Sequence, residues 1–157
     1  MAMASNSSSG ETLDIIAFGL GDQEFCVKTT TIREIRGWAP STPIPHSPPE
    51  VIGVMNLRGS IIPIVDLAYK LGMKSTEPDE RSAIVVAEVH NMIIGVLADR
   101  VSDILTVVRD QIQAVPELAT SYDNSFSEGI IMNGDGMICL LNLSKMFGEK
   151  EVAELAA

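Results

Sequence analysis

The chain has 157 residues and is 46% hydrophobic, enough to bury the core of one ordinary domain or of two very small ones that share an interface. Eleven Lys and Arg against 21 Asp and Glu leave a formal charge of -10, which repels polyphosphate backbones and anionic lipid and argues against nucleic acid or a membrane surface as partner. The apolar runs 61–65, 83–87 and 92–98 fall far short of the roughly 20 residues that cross a bilayer, so no direct membrane insertion is expected.

Residues 1–11 combine neither a basic start nor a continuous apolar stretch, so they read as a disordered lead-in rather than a signal peptide, and a cytoplasmic location is expected. The first hairpin is predicted from Leu13 to Phe18 and from Glu24 to Val27, around Gly19-Leu20-Gly21-Asp22. Glycine admits positive φ there, so this G-x-G is a turn and not a phosphate loop. A short irregular stretch, Thr29 to Thr31, precedes a strand-like segment from Ile32 to Trp38. Five prolines between Pro40 and Pro49 then forbid regular helix or ladder and favour a stiff, extended connection.

Val51 to Leu57 and Ile61 to Val65 form a second predicted hairpin that reverses at Arg58-Gly59-Ser60, with Gly53, Asn56 and Gly59 read as structural turn positions. Asp66 can cap a short helix that ends at Leu71-Gly72. The polar stretch Lys74 to Arg81, with Pro78 inside it, marks the expected boundary between halves 12–76 and 77–147, which can exchange strands. Ala83 to Val89 and Met92 to Leu97 flank His90-Asn91 as a third hairpin. Further strands are predicted at Asp103 to Val107, Gly129 to Met132 and Met137 to Leu141, the last two joined by Asn133-Gly134-Asp135-Gly136. Asn142 to Phe147 and Glu149 to Leu155 look helical, the latter within a C-terminal helical tail at 148–157.

About nine or ten short strands with frequent turns, and no long helices between them for βαβ crossovers, predict an all-β fold of barrels or a sandwich. Two small barrels packed together close the sheet edges most economically.

The residues that carry chemistry are sparse. His46 and His90 are the only histidines, one among prolines and one in a predicted turn, so no metal site is expected. G-x-x-x-x-G-K-[ST], G-x-S-x-G and H-E-x-x-H do not occur, and no cofactor is expected. Cys26 and Cys139 lie in apolar runs without C-x-x-C spacing and read as buried free thiols. Asp99 and Asp103 read as exposed partners of Arg100 rather than as a general acid pair. Aromatics at 4% make a base-stacking platform a poor reading.

Ile32, Ile35, Val54, Leu57, Val101, Ile104 and Leu118 stand beside charged residues at turns. Each alone reads as core; as a set they suggest protein-binding patches, in which aliphatic anchors mix with arginine. A rival reading is a small β-barrel ligand-binding or regulatory subunit, with the proline segment and Trp38 bordering its pocket.

Residues 51–67, V-I-G-V-M-N-L-R-G-S-I-I-P-I-V-D-L, are similar to the signature hairpin of the CheW family, G-V-x-N-L-R-G-x-I-x-P-[IV]-x-D-L. Glu34-Ile35-Arg36-Gly37, the proline-rich approach and Leu71-Gly72 agree with it, as do a second block from Gly95 to Leu105 with Gln111-Ile112 and Pro116-Glu117-Leu118. A third block is Gly129-Ile130, Gly136-Met137 and Leu140-Leu141-Asn142, so the resemblance covers a CheW-like domain at 12–147.

The resemblance implies two intertwined five-stranded barrels with short helices and a hydrophobic groove between them. It also implies a non-catalytic chemotaxis adaptor that couples the histidine kinase CheA to the cytoplasmic tips of methyl-accepting chemoreceptors. Such a protein is cytoplasmic and reaches membrane-bound receptor arrays through protein contacts. By the same resemblance Ile32 and Glu34 match a kinase-contacting edge. Gln113 and Leu118 match the loop of a second kinase contact, where family members often carry a basic residue and an aromatic one. Arg58 matches a receptor-contacting arginine, and Ile35, Gly95, Leu97 and Val101 match receptor-groove positions.

Overall fold

The computed structural model describes residues 11–39, 41–43, 45, 49–74, 77–115, 126–134 and 136–148. The strands are β1 (Thr12–Leu20), β2 (Gln23–Lys28), β3 (Ile32–Gly37), β4 (Val51–Leu57), β5 (Ser60–Asp66), β6 (Ala83–Val89), β7 (Met92–Ala98), β8 (Arg100–Val108), β9 (Ile112–Gln113), β10 (Ser127–Asn133) and β11 (Gly136–Leu141). Two one-turn helices follow the strands that end each sheet's parallel pair, α1 (Leu67–Lys70) after β5 and α2 (Leu143–Met146) after β11. The architecture is all-β, as predicted. Residues 1–10, His46, Leu118 and the segment Glu149 to Leu155 lie outside the described residues.

One sheet has the order β8-β1-β2-β11-β10-β9 and the other β3-β6-β7-β5-β4. The predicted halves 12–76 and 77–147 therefore do not coincide with the sheets. The six-stranded sheet takes β1 and β2 from the first half and β8 to β11 from the second, and the five-stranded sheet mixes β3 to β5 with β6 and β7. Parallel pairs join the halves within each sheet, β2 with β11 and β5 with β7. The count of six rather than five strands in one sheet comes from the two-residue strand β9, which is too short to leave a periodic signal.

Strand alternation explains how so small a chain builds three apolar clusters. In β1, Ile15 and Ala17 enter a cluster inside the first sheet, while Ile16, Phe18 and Leu20 point to a core shared between the sheets. In β6, Ile84 and Val86 enter the interior of the second sheet, while Val85 and Ala87 join the shared core. Strands buried on both faces need unbroken apolar runs, which is why β1 and β6 read as I-I-A-F and A-I-V-V-A rather than as alternating sequences. Phe18 and Phe25 stack in the shared core with ring centroids 6.2 Å apart.

The turns follow backbone chemistry. Leu20 pairs with Gln23, so the first turn is Gly21-Asp22, with Gly21 at φ +58, and Leu20 is a buried strand residue rather than part of the loop. Asp66 caps α1 by accepting a hydrogen bond from the Tyr69 amide at 3.2 Å. The helix stops in a Schellman arrangement: Met73 N–H donates to Ala68 O, Gly72 N–H donates to Tyr69 O, and Gly72 takes φ +77. Gly53 is not a turn residue. It lies within β4 beside a register shift, and a Cβ there would come 2.5 Å from the carbonyl oxygen of Thr42, so the glycine admits a close backbone approach.

Cys26 and Cys139 are both free and buried. Burial, and secondarily Cys139, push the Cys26 thiol up from 9.0 to about 12. The unfolded chain then ionises Cys26 first, so folding stability falls as pH rises through the interval from 9.0 to about 12. Urea denaturation across that interval should show a loss on the order of 1 kcal/mol per pH unit that Cys26→Ala removes. An identical slope in the variant would assign the alkaline loss to other groups.

Candidate interaction surface

β3 and β4 are the outer strands of the five-stranded sheet; β3 carries Arg33, Glu34 and Arg36, and Arg58 follows directly on β4. Along β3, Arg33, Ile35 and Gly37 are exposed while Ile32, Glu34 and Arg36 are half-buried, the period-two pattern of a strand with one face on the body. Ile32 leans on the shared core, so it is a supporting residue as much as a surface one.

Leu57 pairs with Ser60, which leaves Arg58-Gly59 as a two-residue loop between β4 and β5. Both take positive φ, +51 and +89, the pattern of a type I′ turn that favours Asn-Gly over any other dipeptide. The Asn56 side-chain oxygen accepts from the Gly59 amide at 2.9 Å and fixes the loop. Arg58 thus occupies a left-handed position at a cost of about 1 kcal/mol relative to glycine. The same conformation aims its guanidinium at β3. Nη1 donates to Glu34 Oε1 at 2.6 Å and Nη2 to Oε2 at 3.3 Å, a two-point ion pair linking the β4–β5 loop to the other outer strand.

With 75% of the Arg58 side chain exposed, this pair contributes under roughly 1 kcal/mol to stability. Its importance is geometric. It forms the rim of a hollow of about 430 Å³ lined by Arg33, Glu34, Leu57, Arg58, Ile62 and Val86, with the aliphatic residues as floor. Arg33 is itself paired with Glu88, and the Arg36 guanidinium lies 3.9 Å from Glu34, so Glu34 sits in a basic setting. Any group that takes the Arg58 guanidinium competes with Glu34 for it.

The structure therefore joins Glu34 and Arg58, which the resemblance divides between two partners, while Ile32 and Ile35 pair with Ala87 and Val85 on the shared-core side of β6 and do not line the hollow. It does not bring Gly95 and Leu97 to the surface. Leu97 is fully buried, pairing with Asp66 and Ile84, and a Cβ on Gly95 would lie 2.8 Å from both Ile64 and Ile84. They act from beneath, and the groove-lining assignment fails for both because β7 is the central strand of its sheet. Val101 is half-buried against the shared core, and Gln113 is exposed on the other sheet, paired with Ile130.

Two exposed aliphatics complete the picture. Ile104 on the outer strand β8 is 66% exposed, and Ile61, at the start of β5, is 64% exposed. Ile61 received no role from the sequence, and β5, buried without a break from Ile62 to Asp66, carries no alternation that would single it out.

Around Arg100 the charged residues are structural. Asp99 accepts from the Gly21 amide at 2.6 Å, while Arg100 donates to Gly21 O at 2.9 Å and pairs with Glu24 at 3.2 Å. Among the described residues Glu24, not Asp99 or Asp103, is the carboxylate paired with Arg100. Trp38 packs on the interior of the second sheet and its amide donates to Ser82 O at 3.1 Å. Among the described residues no cluster of His, Cys, Asp and Glu could hold a metal ion, and no helix is long and apolar enough to cross a membrane.

Comparison with known proteins agrees with this architecture. The chain is 49% identical over 138 residues to a chemotaxis protein CheW of Rhizobium meliloti, covering 88% of this chain and 89% of that one. It is 32% identical over 147 residues to a chemotaxis protein CheW of Klebsiella aerogenes, covering 92% and 89% respectively. The crystal structure of the scaffolding protein TtCheW from Thermoanaerobacter tengcongensis superposes with a TM-score of 0.81 at 25% identity, over 96% of each chain. A family model described as the CheW-like domain matches residues 14–151, and the chain belongs to the CheW-like domain family.

Proposed function

We propose that the protein is a non-catalytic chemotaxis adaptor that couples a CheA-type histidine kinase to the cytoplasmic tips of methyl-accepting chemoreceptors. The observation that carries this reading is Arg58: an exposed guanidinium held in a left-handed loop position over an apolar hollow, in a chain similar to proteins named for chemotaxis and scaffolding. A loop selected only for turning would carry Asn or Gly there. Arginine in such a place offers five donors in a rigid fork to a partner helix and is enriched among binding hot spots.

In this reading Arg58, Ile35 and Val101 contact the receptor, and the exposed Ile104 and Ile61 offer further apolar area. Ile32 and Glu34 meet the kinase at the β3 edge, and Gln113 and Leu118 belong to a second kinase contact. A helical receptor tip can lay an i, i+3, i+4 stripe across such aliphatic positions. Binding both partners raises their effective local concentration, and preference for one kinase arrangement shifts its population. The protein works in the cytoplasm, attached to receptor arrays by protein contacts alone.

Reconstitution of kinase and receptor-bearing membranes, with and without this chain, tests the proposal. Receptor-controlled kinase autophosphorylation is expected only when the chain is added, and the purified chain alone should not turn over ATP. Receptor control that is complete without it, or ATP hydrolysis by the chain itself, would overturn the reading.

A further inference from the structure

The second sheet carries the hollow rimmed by Arg58; the first sheet ends in an apolar surface of its own. Met132 and Met137 are ladder partners at the tip of the β10–β11 hairpin, 49% and 61% exposed. Ile130 lies two residues along on the same face, while Ile131 and Ile138, on the opposite face, fill the cluster inside the sheet. The hairpin thus gives Ile131, Ile138 and Leu140 to that cluster and turns two methionines to solvent. Methionine has three rotatable bonds and a polarisable sulfur, which suits it to adaptable binding surfaces.

Charge selects the occupant. Met137 and Ile130 line a notch of about 330 Å³ whose other wall is Asp22, Gln23 and Glu24, and no Lys or Arg is among its described lining residues. Glu24 shares its charge with Arg100, while Asp22 is exposed at the β1–β2 turn. A second copy of this chain would bring one acidic wall against another, and nucleic acid or anionic lipid would be repelled by the same carboxylates. Geometry selects its form. β11 lies between β10 and β2 and the exposed apolar groups are side chains on the face of the sheet, a surface for side-chain contact rather than for strand addition. A helix can meet a cross-strand pair with residues one turn apart.

We propose that the outer face of the β10–β11 tip is a separate docking site for a cationic amphipathic helix of a protein partner, Met132 and Met137 being its apolar anchors and Asp22 its ionic rim. The site shares no residue with the hollow around Arg58 and belongs to the other sheet.

The full chain would be titrated, by fluorescence anisotropy, into a labelled synthetic helix with a leucine stripe flanked by lysines. Met132→Ser/Met137→Ser should weaken binding about tenfold, and Met132→Leu/Met137→Leu should preserve it. Asp22→Asn should weaken it less and flatten its salt dependence. Amide shift changes should gather on β10, β11 and the β1–β2 turn. Because both methionines are exposed, the Ser variant should keep the parent melting temperature. Equal affinity of parent and Ser variant would overturn the proposal. So would shift changes centred on β3 and the β4–β5 loop, equal binding of a glutamate-flanked helix, or a dimer that the Ser variant abolishes.

Discussion

Arg58→Asn is expected to weaken binding to a receptor-tip fragment by on the order of 2 kcal/mol while leaving the fold as stable as the parent or more so. The two effects have separate causes. Position 58 takes φ +51 in a two-residue loop followed by glycine, and Asn-Gly is the dipeptide that conformation favours. The substitution therefore removes backbone strain. The lost ion pair to Glu34 is highly exposed and worth little to stability, so nothing large offsets that relief. Binding responds differently, because a shorter amide cannot reach across to β3 or present a two-point fork to a partner. Titration with receptor fragment and kinase separately, alongside thermal melts, decides the matter. A loss of stability equal to the loss of affinity would make Arg58 a structural residue. Equal loss toward both partners would mean that the loop and β3 form one undivided contact.

That prediction rests on a feature the sequence half revealed. N-L-R-G announces a tight loop, and resemblance singles out its arginine, but its pairing with Glu34 depends on β3 and β4 being the two outer strands of one sheet. Residues 24 positions apart meet through that topology, and no local periodicity encodes it. Hairpins were legible wherever a turn dipeptide separated apolar runs, as at Gly21-Asp22 and His90-Asn91. The parallel pairs β2–β11 and β5–β7 were not, because parallel strands are joined by long connections rather than by turns with a residue signature. Gly53 was misread for a related reason: the backbone that approaches it belongs to Thr42, across the proline-rich connection. Surface position suffered most. Strands buried on both faces lose the alternation that separates core from contact, so nothing in the run of β7 corrected the resemblance, which implied a groove position for Gly95 and Leu97 although both are interior.

Leu97 gives the sharpest test of that distinction. It is fully buried in the central strand β7, with ladder partners on both sides, so Leu97→Ala should lower folding stability by about 2–5 kcal/mol through lost burial and the cavity left behind. Receptor and kinase affinity, measured per folded molecule at a temperature where the variant is fully folded, should then remain close to the parent values. Urea denaturation supplies the first quantity and titration calorimetry the second. A stability change below about 1 kcal/mol together with a clear loss of receptor binding would return Leu97 to the contact surface. Ile104→Ser provides the opposite pattern. Its side chain is 66% exposed on an outer strand, so little apolar burial is lost and stability should hold, while any partner that covers β8 should bind more weakly. A residue that supports the contact from within and one that makes it are then separated by the ratio of their effects on folding and on binding.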